Sequence, residues 1–248
     1  MLGDVHLLVA AAVIFLFAGF VKGVIGMGLP LFAMGLLSLL VPPAQAAALL
    51  IVPALVTNIW QLAAGPSFGA LLRRLWSMML GIALGTWAGG GLLAGDTNGR
   101  AELGLGAVLV IYALLALGRV RMRVPNGAER WWSPFIGTVT GLVAAATGVF
   151  SVPSVPYLEA LALERDDLIQ ALGLSFTVSS VVLGLGLARD GVFDLSLTIL
   201  SVLALAPALG GMVAGQWVRY RVSAATFRLW FLIGLLALGL HLALHRFF

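Results

Sequence analysis

Residues 23–72 contain no Asp, Glu, Lys or Arg. As one helix that run would be roughly 75 Å long, more than twice the ~30 Å hydrocarbon core of a bilayer. It therefore folds back at least once. Further charge-free stretches cover 5–21, 75–95, 103–118, 131–158, 168–188, 195–218 and 229–245. A membrane-spanning helix needs ~20 apolar residues, and these stretches are near that length or longer. None alternates with period two, which argues against a β-barrel. Charged residues are 10% of the 248, against ~25% in soluble domains, and mean hydropathy is +1.10. A soluble globular domain, a disordered chain and a nucleic-acid binder are excluded. The formal charge of +4 is spread too thinly to make a basic face. With no cysteine, disulfide frameworks, thiolate metal sites and cysteine nucleophiles drop out. The first stretch lacks the basic start and Ala-x-Ala exit of a cleavable signal peptide.

The chain divides into ten hydrophobic segments: 5–21, 28–41, 45–64, 74–94, 101–118, 134–149, 152–163, 168–188, 195–218 and 226–246. The second and seventh are short and follow Gly-rich or Ser/Pro-containing breaks. The expected fold is an all-α polytopic membrane protein with about eight full spans and two short half-helices. Each short segment either spans or re-enters. The halves resemble each other. Gly19-Phe20-Val21-Lys22-Gly23 matches Gly137-Thr138-Val139-Thr140-Gly141, and Leu84-Gly85-Thr86 with Gly90 matches Leu209-Gly210-Gly211 with Gly215. The pattern predicts one repeat over 1–118, a basic linker over 119–133 and a second repeat over 134–248. Positive charge favours the cytoplasmic face. If each long–short pair returns to its starting side, that face collects Lys22, Arg73, Arg74, Arg119, Arg121, Arg123, Arg130, Arg165, Arg219, Arg221 and Arg228. The other face keeps Arg100, Arg189 and Arg246. Both termini are then periplasmic. Five segments per half make the second half inverted, an arrangement typical of secondary transporters with midplane sites.

Lys22 is the only lysine and lies inside an apolar run. A lone cation there is costly unless it snorkels or pairs, so it reads either as a snorkelling residue or as the charge of an anion site. The break after it, Gly23-Val24-Ile25-Gly26-Met27-Gly28-Leu29-Pro30, allows sharply bent backbone and a helix start whose free N–H groups can hold an anion. The second break runs from Ala144 to Ser154 and offers Thr147, Ser151 and Ser154. Asn58 and Gln61 share one helix face, and Ser175 and Ser179 lie on the matching segment. Lys22, Gly26, Gly28, Asn58, Gln61, Thr147, Ser151, Ser154, Ser175 and Ser179 are the candidate substrate-binding residues. Among acidic residues only Glu159 is expected at depth, and it would be the one route for proton coupling. His241 and His245 share a helix face but have no evident third ligand, so no metal and no cofactor is expected.

At these motifs the chain resembles the TauE/SafE family of sulfite exporters and related anion permeases. The resemblance rests on Ala18-Gly19-Phe20, Gly23, Gly26, Gly28 and Pro30, then Gly137, Gly141 and Pro153. It departs in the second break, where the family usually has glycines and this chain has Ala144-Ala145-Ala146-Thr147-Gly148. The resemblance implies a small duplicated carrier in the bacterial inner membrane that moves sulfite, sulfonates or other sulfur-containing anions. The expected partners are the bilayer and a small anion, and two copies could associate as a homodimer. A passive channel is the alternative, though no charge ring or filter repeat is visible. An intramembrane hydrolase built on Ser175 within Gly173-Leu174-Ser175-Phe176 is the remote one, and no enzyme is expected.

Overall fold

A computed structural model of the chain describes residues 5–118, 124–125, 127–219, 221 and 223–245. The described residues form ten helices: α1 (Val5–Ile25), α2 (Leu29–Leu37), α3 (Pro43–Ala63), α4 (Phe68–Ala88), α5 (Arg100–Leu117), α6 (Glu129–Thr147), α7 (Ser154–Ala160), α8 (Arg165–Arg189), α9 (Leu195–Val218) and α10 (Ala224–Leu244). Seven of them, all but α2, α6 and α7, are long and apolar enough to cross a membrane. The chain is thus an all-helical polytopic membrane protein. Leucine, valine and tryptophan side chains such as Leu84, Val202 and Trp217 are exposed on its outer surface, as a lipid-facing surface requires.

Two parallel helix pairs hold the bundle together, and glycine is what brings them close. On α1, a Cβ added at Gly19 or Gly23 would strike the carbonyl oxygen of Ala208 or Met212 on α9. In return, a Cβ at Gly211 or Gly215 would strike Leu16 O or Phe20 O. The α4–α6 pair repeats this. Gly137 and Gly141 meet Met78 O and Ile82 O, while Gly81 and Gly85 meet Pro134 O and Thr138 O. Every contact of the first interface reappears in the second, 118 residues on for α1 to α6 and 130 residues on from α4 to α9. Small residues that let backbones touch are the usual device where lipid removes the hydrophobic drive for helix association. The packing corrects one detail of the sequence match. Gly81 and Gly85 correspond to Gly211 and Gly215, so the motif at Leu84-Gly85-Thr86 is displaced from its packing equivalent.

Other contacts fix direction. Gly173 of α8 packs on Asn58 and Leu62 of α3, and Gly184 packs on Ile51, so α3 and α8 are antiparallel. Gly106 of α5 packs on Gly239 and Ala243 of α10. The bidentate Arg74–Glu129 pair (2.8 and 2.9 Å) and Arg228–Glu159 (3.7 Å) lie at one end of the bundle. Gly91 N–H to Asp190 (2.9 Å) and His245 to Glu102 (3.5 Å) lie at the other. We call these the basic and acidic ends. The chain reverses at every connection. After α1 it turns at Gly26 and Gly28, both with positive φ (89° and 103°). The α2–α3 hairpin then brings Gln61 back to the Gly26 carbonyl (3.0 Å). A single broken helix would instead set the end of α3 beside the start of α1. The second break turns at Gly148 (φ 73°), and α7 returns beside α6, with Tyr157 and Ser133 hydroxyls 2.7 Å apart.

Helix starts differ from charge boundaries. α4 begins at Phe68, upstream of Arg73 and Arg74, and α6 begins at Glu129, inside the stretch read as linker. Arg119, Arg121, Arg123, Arg246 and the linker residues 119–123 and 126 lie outside the described residues. Trp131 and Trp217 at the basic end and Trp87 at the acidic end each carry an arginine over the ring, from Arg130, Arg221 and Arg189. They form the aromatic girdle expected at an interface.

The packing predicts a contrast between neighbouring glycines of α9. A Cβ at Gly210 meets open space, whereas one at Gly211 meets backbone. Gly211→Ala should destabilise by about 1–3 kcal/mol, while Gly210→Ala should be neutral or stabilising by up to about 1 kcal/mol. Thermal unfolding in detergent reads both. Equal midpoints for the two variants would contradict the α1–α9 interface.

Candidate functional site

Lys22 is the only charged side chain that is buried among the described residues, at 4% exposure. It lies within α1, one turn before the break, and does not snorkel. Its Nζ donates to Thr57 Oγ1 (3.0 Å) and to Asn58 Oδ1 of α3. No carboxylate among the described residues lies within ion-pair distance of it. Pro53 of α3 has no N–H for Leu49 O, and Ser201 of α9 donates to that carbonyl instead (2.9 Å). Thr57 Oγ1 donates to Pro53 O (2.7 Å), so its lone pairs remain for the ammonium. Asn58 is fully buried and its Nδ2 has no partner among the described residues.

Gln61 extends the cluster by one helical turn. Its Nε2 donates to Gly26 O of the first break and to Ile169 O of α8, both at 3.0 Å, and its Oε1 is buried without a partner. A buried donor without an acceptor costs about 1–3 kcal/mol. The site therefore holds an ammonium with no counter-charge and an amide with unused N–H groups. The ammonium favours an anion, the Asn58 N–H groups take any acceptor, and the Gln61 Oε1 takes a donor.

The remaining sequence candidates divide by what their hydroxyls touch. Thr147 donates to Val143 O (2.7 Å), Ser154 to Phe150 O (2.7 Å), Ser175 to Leu172 O (3.2 Å) and Ser179 to Ser175 O (2.8 Å). Each hydrogen bonds its own helix or turn. Ser151 Oγ is buried and without a partner among the described residues. The second break lies well apart from Lys22. Gly148 packs on Ala47 of α3, eleven residues from Asn58, or ~16 Å along the helix. Gly28 is walled by Phe231 and Val21, so the turn there is lined by apolar groups, and Pro30 has no N–H to offer. Gly26 serves through its carbonyl rather than its amide, since its N–H donates to Lys22 O (2.7 Å).

Glu159 is not at depth. It is exposed and sits 3.7 Å from Arg228 at the basic end. His241 and His245 stack on one another, and His245 reaches Glu102. No group of three His, Asp or Glu among the described residues could hold a metal. A cavity of about 260 Å³ opens at the acidic end, between the α4–α5 loop and α6. Arg100, Thr97 and Asn98 line its mouth and Thr147 its inner wall. The Asp96 carboxylate beside it accepts the N–H groups of Arg100 (3.0 Å) and Ala101 (2.7 Å).

Sequence reasoning set Thr57 and Ser180 in a polar series facing the bundle interior, but it did not pair Thr57 with Lys22 and left out of the site Thr86, Thr140 and Ser180. These last three are buried hydroxyls with no hydrogen-bond partner among the described residues. Thr140 had a signal, because it stands where the repeat match puts Lys22.

No curated protein and no solved structure matches the chain. The family model for the sulfite exporter TauE/SafE matches residues 11–242. With nearly its whole length so matched, and with its long apolar helices and buried cationic cluster, the chain belongs to the sulfite exporter TauE/SafE family, a family of membrane anion transporters.

Proposed function

We propose that the protein is a secondary transporter that moves a small anion, sulfite or an organosulfonate, by alternating access across the bacterial inner membrane. The observation that carries this reading is Lys22, buried with no carboxylate beside it and bound to an asparagine whose amide is unused. Removing one partner of a buried pair leaves an uncompensated charge at a cost of several kcal/mol, so such a lysine implies a partner that comes and goes. A substrate anion is that partner. Membership of a sulfite exporter family supports the same class of cargo.

The two glycine-lined interfaces support an inverted duplication of 1–118 and 134–248 about a basic linker. Each half contributes one helix to each interface, so the halves are interlocked and can rock about these seams. α6 acts as the eighth span, because it packs along α4 as α1 packs along α9. The positive-inside rule sets the basic end in the cytoplasm, with both termini periplasmic. Hydrolysis at Ser175 has little support. Its hydroxyl donates to Leu172 O, and both C-terminal histidines stand at the acidic end, beside Glu102. A carrier is favoured over a channel, since one charge held by hydrogen bonds makes a binding site rather than a row of sites.

Purified protein in liposomes should show saturable sulfite or sulfonate flux. Lys22→Gln should lower it by roughly 10- to 100-fold and Asn58→Ala by roughly 3- to 10-fold, from the usual strengths of charged and neutral hydrogen bonds. Unchanged flux in both variants would refute the site. Because the native chain has no cysteine, single cysteines can report topology. A membrane-impermeant maleimide should label Thr97→Cys in cells whose outer membrane alone is permeabilised. It should label Arg73→Cys only after the inner membrane is opened as well. The reverse pattern would invert the assignment.

A further inference from the structure

The packing registers allow the halves to be compared residue by residue. α1 maps to α6 with a shift of 118. For α3 and α8 the shift is 122. Their N-cap residues Pro42 and Glu164 share one extended conformation (φ −52°, ψ 144° and φ −57°, ψ 154°). The back-bond from Thr57 to Pro53 O recurs from Ser179 to Ser175 O. Lys22, Thr57 and Asn58 then fall on Thr140, Ser179 and Ser180. A hydroxyl stands where the ammonium was, and a second hydroxyl replaces the asparagine.

Thr140 Oγ1 and Ser180 Oγ are buried with no partner among the described residues, and so is Thr86 Oγ1 of α4. Thr86 packs on Gly141, next to Thr140. Many buried hydroxyls of this bundle, including those of Thr57, Ser154 and Ser175, donate to their own helix or turn. These three do not. The α3–α8 crossing sets the depth of Ser180. With Gly173 on Asn58 and Gly184 on Ile51, Ser180 lies opposite the turn of α3 that precedes Asn58. Ser180 and Asn58 are therefore within about 6 Å of one another along the helix axis, or four residues of rise.

We infer that Thr86, Thr140 and Ser180 form the second wall of the anion site, so that one monoanion is held between them and Lys22–Asn58. The inference rests on the anion-transport reading above. A hydroxyl can donate or accept, and the Lys22 ammonium decides which. At this range it repels a metal cation and attracts an anion, so the hydroxyls act as donors. One ammonium against one negative charge leaves the occupied site neutral in the bilayer core. A dianion would leave a net charge there, which is costly. The site thus selects hydrogensulfite or a sulfonate over sulfate. Because Lys22 and Asn58 belong to the first half and Thr140 and Ser180 to the second, movement of one half against the other opens it, and neutral donors on one wall let the anion leave.

The test is binding of ethanesulfonate and of sulfate to the purified full chain, followed by calorimetry, with thermal unfolding as the control for folding. The native protein should bind ethanesulfonate more tightly than sulfate. Thr140→Val and Ser180→Ala should each raise the ethanesulfonate Kd about 3- to 10-fold, the strength of one hydrogen bond. Thr140→Lys adds a second ammonium and should raise the affinity for sulfate relative to ethanesulfonate at least tenfold. If folded Thr140→Val and Ser180→Ala bind as the native protein does, while Lys22→Gln loses binding, the second wall is wrong and the anion reading stands. If sulfate binds the native protein more tightly, the monoanion assignment is overturned. If the native protein binds neither anion, the anion reading fails and this inference falls with it.

Discussion

Close approach of helix backbones at glycine is the constraint on which the rest of this structure depends. Within a bilayer, apolar side chains gain little by leaving lipid for protein, so close packing and polar contacts must hold helices together. Gly19 and Gly23 set against Gly211 and Gly215, and Gly81 and Gly85 set against Gly137 and Gly141, supply that packing twice. Each seam joins a helix from one half to a helix from the other. α1 is thereby held from Leu16 to Gly23 and α6 from Pro134 to Gly141, and the breaks that follow them are carried to fixed positions. Lys22 lies on α1 between the seam residues Phe20 and Gly23. Its direction toward α3 is set by the face that the glycines turn toward α9.

Polar groups in such a bundle must find partners within it, because lipid offers none. The hydroxyls of Thr57, Thr147, Ser154, Ser175 and Ser179 do so by bonding the preceding turn. Asn58 Nδ2 and the oxygens of Thr86, Thr140 and Ser180 have no partner among the described residues, nor do Gln61 Oε1, Gln45 Oε1 and the hydroxyls of Ser38 and Ser151. Three helix ends are held by side chains. Asp194 accepts Leu197 N–H at the start of α9, Asp96 caps α5, and Gln170 bridges the α3–α4 turn through Ser67 N, Leu62 O and Gly65 O.

Much of the fold could be read from charge spacing. Ten segments correspond to ten helices, and the short second and seventh segments are the short helices α2 and α7. Boundaries were less legible, since a charged residue at a membrane interface does not end a helix: α4 runs through Arg73 and Arg74 without a break. The site was legible where chemistry was singular. A lone lysine in an apolar run, with Asn58 and Gln61 on one face, pointed to the cluster that the structure joins. Hydroxyls were not legible, because a serine on a helix either bonds its own carbonyl or turns away, and the choice is made by packing. Thr147, Ser154, Ser175 and Ser179 took the first course and Thr140 the second. Glu159 looked deep because no charge lies near it upstream in sequence, yet the α10 neighbour Arg228 shows it at the basic end.

The central claim is that the transported anion takes its charge partner from Lys22. The most direct measurement is a diffraction or cryo-microscopy structure of the protein with selenite, the selenium analogue of sulfite. Selenium density within hydrogen-bonding reach of Lys22 Nζ and Asn58 Nδ2, facing α6 and α8, is the predicted result. Selenium held only at the second break near Thr147 and Ser151, or only in the cavity beside Arg100, would contradict it.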